Sequence, residues 1–500
     1  MTVLGEGLVR RPRLSYHGGS RCRGWIAVVR EALAASHEAN RLSRDVRRQD
    51  PALFVGTTIM EKTLPSPPRT FGAKLNRLGP GILLAAAAIG SGELILTPRA
   101  GALFGLSVGW VIVVSIVYKL ALTLGLARYT IATGEDIFEG FSHLPGPRNW
   151  FVWILAAVFL LGAVGYSGIA LACGSALFAL FPVLSMIQWA VLVVGVVFVL
   201  LLKGAYGPVE KAAFVLSLTL IIGVIYSLAA LGPTFGWMVR ESVPRIPRGS
   251  GQTLISLLGW TAGGTSTLIY SFWILEKGYA LPRGNLAPSA DASGKHDDFR
   301  HWLSLAHMDA GLSYAVMMFV SLAFLAIGSI TLGTAGADGS PLVPARGETT
   351  VVLARMLTVA AGPQARYIFL IAALAILSST IIGLVDGKSR ALRTAVYIVA
   401  PRSRRWSDLT CYRLGIALLC LVIFALLFTG RPVLLIVLVS ALEAPVLSLS
   451  AMLLLYLLHT RLRRAYRPGV LWHIVIVAGT VTYLALSVHA LTAILADLKG

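Results

Sequence analysis

Two long apolar segments of this 500-residue chain are each interrupted mid-length by a glycine cluster, Gly90-Ser91-Gly92-Glu93 in the first and Gly263-Gly264-Thr265-Ser266 in the sixth. In hydrocarbon an unpaired backbone N–H or C=O is costly, so a spanning helix unwinds only where protein or an aqueous cavity receives the freed groups. A break in each of two repeats therefore marks a binding site near the membrane midplane, the plan of a secondary transporter. Glu93 sits at the first break, where a charge costs roughly 2.5 to 3.5 kcal/mol or more unless compensated. Close helix packing through small residues explains one such cluster well. Two clusters at matching positions, one of them carrying a carboxylate, favour the site.

Hydrophobic residues make up 56% of the chain and charged residues 13%, against roughly 25% charged in an ordinary soluble domain. The class is an all-α polytopic membrane protein. About eleven apolar runs of spanning length begin near residues 79, 106, 150, 186, 209, 253, 303, 366, 411, 432 and 470. The net charge of +20 lies in a tail and in loops between spans, which excludes a nucleic-acid partner in favour of the bilayer. The positive-inside rule places the N-terminus in the cytoplasm, and an odd span count then places the C-terminus outside the plasma (inner) membrane. Two basic clusters, Lys388 to Arg405 after span 8 and Arg461 to Arg467 after span 10, are expected at the anionic lipids of the cytoplasmic face.

Residues 1–70 read as a basic tail, either an arm for lipids or partners or, up to residue 59, sequence preceding a true start at Met60. Residues 75–232 then form a first five-helix repeat, 253–458 a second, and 470–497 a peripheral eleventh helix. Five spans per repeat force the second to be inverted in the membrane, so that helices 1 and 6, the broken pair, meet. The hydrophilic stretch 277–302 reads as a flexible cytoplasmic insert. Cys22, Cys173, Cys411 and Cys420 show no ligand or redox spacing and read as unpaired.

Gly79-Pro80-Gly81 opening span 1, Ala100 to Gly105 closing it, Ala132-Thr133-Gly134-Glu135-Asp136 after span 2 and Ser378 to Arg390 in span 8 together resemble the Nramp family of divalent metal transporters, within the LeuT-like group. The similarity runs from about residue 75 to the end. It implies a LeuT-like 5+5 inverted repeat and a transported divalent cation, held as substrate and not as cofactor. Family members carry Asp-Pro-Gly-Asn at span 1; Gly90, Ser91, Gly92 and Glu93 stand in those places here, so the carboxylate is displaced by three residues. The family's Met-Pro-His in span 6 is replaced by Gly263, Gly264 and Thr265, and the soft thioether ligand is lost. The remaining donors are oxygens, from Glu93, Ser91, Thr265, Ser266 and freed carbonyls. They suit a harder, partly hydrated ion such as Mg2+, or equally a small organic solute whose carboxylate meets a half-helix N-terminus.

Further charges fall within spans. Lys119 lies near the middle of span 2, where a buried and paired ammonium is expected to neutralise Glu93 or Glu443 and so replace a coupling cation. Glu443 precedes Pro445 in span 10; it reads as a proton-relay or ion-site residue, or with equal weight as the partner of a neighbouring Lys or Arg. Asp386 is expected in an interfacial ion pair with Lys388 or Arg390, and Asp309 at the interface of span 7. Arg413 resembles an arginine of the family's proton route, although positive-inside anchoring accounts for it as well. His307, His459, His473 and His489 have no ligand-type partner at i+4.

No Walker A loop, nucleophile elbow, HExxH or dinucleotide fingerprint occurs, which argues against an enzyme or a primary pump. The leading reading is a secondary transporter of divalent metal cations, with protons as candidate partners in symport. An organic-solute carrier on the same scaffold is the alternative. A non-transporting membrane sensor is a second.

Overall fold

A computed structural model describes residues 66–78, 90, 92–204, 207–281, 293–333, 340–343 and 349–497. The basic tail up to residue 65, with Cys22, together with Ser91 and the start of span 1, lies outside the described residues. The described residues form helices joined by short turns and loops and fall in one compact unit, Pro65–Gly500.

The first described transmembrane piece is a π-helical turn, Gly92–Leu96, running into α1 (Thr97–Phe104), whose Pro98 sits in the first turn where its missing N–H is harmless. There follow α2 (Gly109–Thr133), α3 (Ile137–Ser142), α4 (Trp150–Leu180), α5 (Met186–Lys203), α6 (Gly207–Leu231) and α7 (Phe235–Glu241). The sixth apolar segment is split into α8 (Gly251–Trp260), an irregular stretch Thr261–Ile269, and α9 (Tyr270–Glu276). The chain continues through α10 (Ser293–Leu332), α11 (Thr349–Ala361), α12 (Ala365–Val399), α13 (Asp408–Leu427), α14 (Pro432–Thr460) and α15 (Val470–Asp497). Asp136 shows how one family-like motif works: with Glu139 it forms a capping box that starts α3 directly after α2.

Eight helices among the described residues are long and apolar enough to cross a bilayer, or nine if α6 and α7, bent by 102°, are one span. The split segment Gly251–Glu276 has pieces too short to qualify alone, so the expected eleven is not reached by this criterion. Burial sorts the helices into layers. In α4, α10 and α12 61% of the apolar stretch is covered by protein, but only 28–33% in α5, α13 and α15, which places the latter three at the lipid-facing rim. Helix α4 packs along both α12 and α14, α10 along α1 and α2, and α8 along α14, so the two breaks lie inside this layer.

Two boundary expectations change. Residues 293–302, read as part of a flexible insert, are the first turns of α10; Phe299 and Trp302 are buried there, packing on Tyr466 and Tyr279. Helix α12 does not end before Lys388. Its 35 residues reach about 50 Å at 1.5 Å per residue, well beyond a roughly 30 Å hydrocarbon core, and they carry Lys388 inside the bundle.

Candidate functional site: two facing helix breaks

Helix α8 ends at Trp260 because the next residues leave helical geometry. Ala262 (φ 57°), Gly263 (φ 91°) and Gly264 (φ 54°, ψ −138°) all have positive φ. At Gly264 a side chain is also sterically excluded, since a Cβ would lie 2.1 Å from Glu443 Oε2 and 2.7 Å from the Gly259 carbonyl. Unwinding separates groups that a continuous helix would join. The Ala262 N–H would reach back four residues to the Leu258 carbonyl, but it donates instead to Glu93 Oε1 at 2.8 Å. The Leu258 carbonyl accepts instead from Lys119 Nζ at 2.9 Å.

Glu93 and Lys119 thus take the two halves of one opened backbone hydrogen bond. Both are fully buried. Glu93 Oε2 also accepts from the Gly90 N–H at 3.3 Å, so the carboxylate links the first break to the second. The Lys119 ammonium further donates to the Gly259 carbonyl at 3.3 Å and to the Thr261 carbonyl. Ser115 and Tyr483 hydroxyls add donors to the Leu258 carbonyl. Lys119 makes no direct ion pair with Glu93 or Glu443; its hydrogen-bond partners are carbonyls of the split segment, the acceptors that the break leaves unpaired, while its charge acts on both carboxylates through space.

Glu443 has a different cation. Lys388, expected at the cytoplasmic surface, is fully buried, and its ammonium lies 3.2 Å from Glu443 Oε1. It also lies over the rings of Phe159 and Tyr166, 4.8 and 5.0 Å from their centroids. Glu443 accepts from Thr265 twice, from the hydroxyl at 2.6 Å and from the N–H at 3.2 Å. The network therefore ties α12 and α14 to the far side of the second break. The sequence signal for Lys388 was its single charge within an apolar helical face, masked by the arginines that follow it.

The remaining candidates divide between the break and the periphery. Gly263 and Ser266 lie in the irregular stretch, Ser266 buried. Arg413 is exposed on α13 and has no hydrogen bond or ion pair with these residues. Asp386 is paired with Arg390 at 3.0 Å and accepts from the Tyr412 hydroxyl, but Lys388 takes no part. Asp309, expected at the interface, is buried and accepts from the Tyr270 hydroxyl at 3.1 Å. His459 and His473 meet across α14 and α15 with Nε2 atoms 3.2 Å apart, a contact invisible to i+4 spacing. Cys173, Cys411 and Cys420 are free thiols.

Chemically, the junction offers carboxylate, hydroxyl and carbonyl oxygens. Among the described residues no group of three or more His, Cys, Asp or Glu gathers as a metal cluster. The two carboxylates are balanced by two ammoniums, each held by a different helix.

The family described as "Natural resistance-associated macrophage protein-like" (Nramp) matches residues 81–493. Over 219 residues the chain is 27% identical to an uncharacterized protein of Pasteurella multocida, covering 42% of this chain and 49% of that protein. Over 196 residues it is 29% identical to the divalent metal cation transporter MntH of Klebsiella pneumoniae, with 38% and 46% covered. It spans about half the length of these curated relatives. A mutant of the Eremococcus coleocola manganese transporter superposes with a TM-score of 0.59 at 15% identity, over 86% of this chain and 88% of that one. MhsT in complex with L-phenylalanine superposes with a TM-score of 0.52 at 16% identity, over 83% and 98%. At such identities the likeness is one of fold: an all-α, LeuT-like arrangement in an integral membrane protein.

Proposed function

Because the chain belongs to the Nramp family, we propose that it is a secondary transporter moving divalent metal cations across the plasma membrane by alternating access, not an enzyme. The carrying observation is the Glu93 carboxylate, which accepts from Gly90 at the first break and from Ala262 at the second. Support for the substrate comes from the family and from the relative named as a divalent metal cation transporter. Gly90, Gly92 and Glu93 with Gly263, Gly264, Thr265 and Ser266 are the proposed lining of the site; Ser91, assigned to it from the sequence, lies outside the described residues. Its oxygen donors favour a hard ion that keeps several waters over Mn or Fe. Protons are the proposed coupling partner, and the orientation is N-inside and C-outside, with the basic loops on anionic lipid. The five-plus-five division at residues 75–232 and 253–458, with 470–497 peripheral, belongs to the same reading.

One observation favours the second reading, an organic-solute carrier. Lys119 and Lys388 balance Glu93 and Glu443, leaving these four groups without the surplus negative charge that a divalent cation prefers. Uptake by purified protein in proteoliposomes, screened over Mg2+, Mn2+, Ca2+ and amino acids with and without a pH gradient, separates the readings. Saturable divalent uptake is expected. Amino-acid uptake without divalent uptake favours the second, and no uptake by folded protein favours a sensor.

A further inference from the structure

We propose that the helix break after α8 is a monovalent-cation site whose resident cation is the ammonium of Lys119, supplied covalently by α2. The observation is the oxygen cup itself. Carbonyls of Leu258, Gly259 and Thr261 converge on one Nζ atom, at 2.9 Å and 3.3 Å for the first two. They come from the last turn of α8 and the residue after it, where carbonyls lack intrahelical partners and the negative end of the helix dipole lies.

Such an array of backbone oxygens can replace the hydration shell of an alkali cation, as in selectivity filters. An ammonium does the same through N–H donors, with the same unit charge and a similar radius. Two features distinguish the cup from an incidental lysine contact. Lys119 makes no ion pair with a carboxylate, so the carbonyls are its sole hydrogen-bond partners among the described residues. Its position is also tied to the unwinding: the Leu258 carbonyl, which a continuous helix would join to the Ala262 N–H, is left to the Lys119, Ser115 and Tyr483 donors while Glu93 holds that N–H. A cation here stabilises the broken form of the segment, and a tethered one does so at every ion concentration. This assignment is independent of which solute the protein carries.

The consequence is a protein that needs no Na+ or K+ to hold its second break open. Removing the tether should create that need. Lys119→Ala leaves three carbonyls and room for a small cation. The test is the melting temperature of purified protein in detergent at constant ionic strength, in choline, Na+, K+ or NH4+ chloride. The wild type is expected to melt alike in all four. Lys119→Ala is expected to melt lower in choline and to regain a few degrees, saturably, in at least one of the small cations, as ligand linkage requires.

Equal melting of Lys119→Ala in choline and in every small cation overturns the proposal. So does a wild-type response as large as the variant's. Lys119→Ser, which adds a hydroxyl ligand, serves under the same readout if the alanine variant does not fold. Failure of both variants to fold in Na+, K+ and NH4+ alike also contradicts the proposal, since the site would then require the lysine's stem and not its charge.

Discussion

The buried pair Lys388–Glu443 permits a quantitative prediction. Its charged atoms are 3.2 Å apart and the side chains are 0% and 3% exposed, so water cannot compensate either charge when the other is removed. Lys388→Met leaves Glu443 with only the two Thr265 donors, and Glu443→Gln leaves the ammonium with no carboxylate, only the Thr265 hydroxyl at 3.4 Å and the Phe159 and Tyr166 rings. Breaking a buried pair from one side costs about 3 to 5 kcal/mol, whereas replacing both partners by uncharged groups of similar volume is often near neutral. In Lys388→Met/Glu443→Gln the amide oxygen still accepts from Thr265 and the thioether fills the lysine's volume. The double variant should therefore be more stable than either single variant, with a coupling energy of about 3 kcal/mol or more. Thermal unfolding in detergent of the four proteins completes the cycle. Single variants melting within a degree of wild type, or a double variant showing the sum of the single losses, would refute the reasoning.

Other consequences follow from the same packing. Gly264→Ala places a Cβ 2.1 Å from Glu443 Oε2 at a φ of +54°, so a loss of about 2 kcal/mol or more is expected; an unchanged melting temperature would count against the described break. Gly162→Ala puts a Cβ 2.4 Å from Lys388 Nζ and forces the flexible end of the lysine aside, at roughly 1 to 3 kcal/mol. That penalty should shrink in a Lys388→Met background, and a penalty of equal size in both backgrounds would show that Gly162 does not make room for the ammonium.

Much of this was legible in the sequence, and the remainder was hidden for identifiable reasons. The second glycine cluster announced a break, because Gly263 and Gly264 tolerate the positive φ that ends α8. The cost of a mid-span charge announced a partner for Lys119, but not which one. Backbone carbonyls carry no sequence signature, and only the unwinding makes those of Leu258, Gly259 and Thr261 available. Lys388 was misread because hydropathy averages over a window, and Arg390 and Arg393 blurred the end of α12, whose apolar face resumes at Ala391 and Ala395. Pairings between distant helices, such as Glu443 with Lys388 or His459 with His473, depend on packing that no local spacing encodes.

The account rests most heavily on Glu93 as the residue through which the two breaks form one site. Proteoliposome uptake of Mg2+ and Mn2+ by wild type and by Glu93→Gln, with folding checked by size-exclusion profile, tests it directly. The amide keeps an oxygen able to accept the Ala262 N–H but removes the charge. A cation site at the breaks predicts that wild type transports and that Glu93→Gln does not; divalent uptake undiminished in folded Glu93→Gln would contradict it.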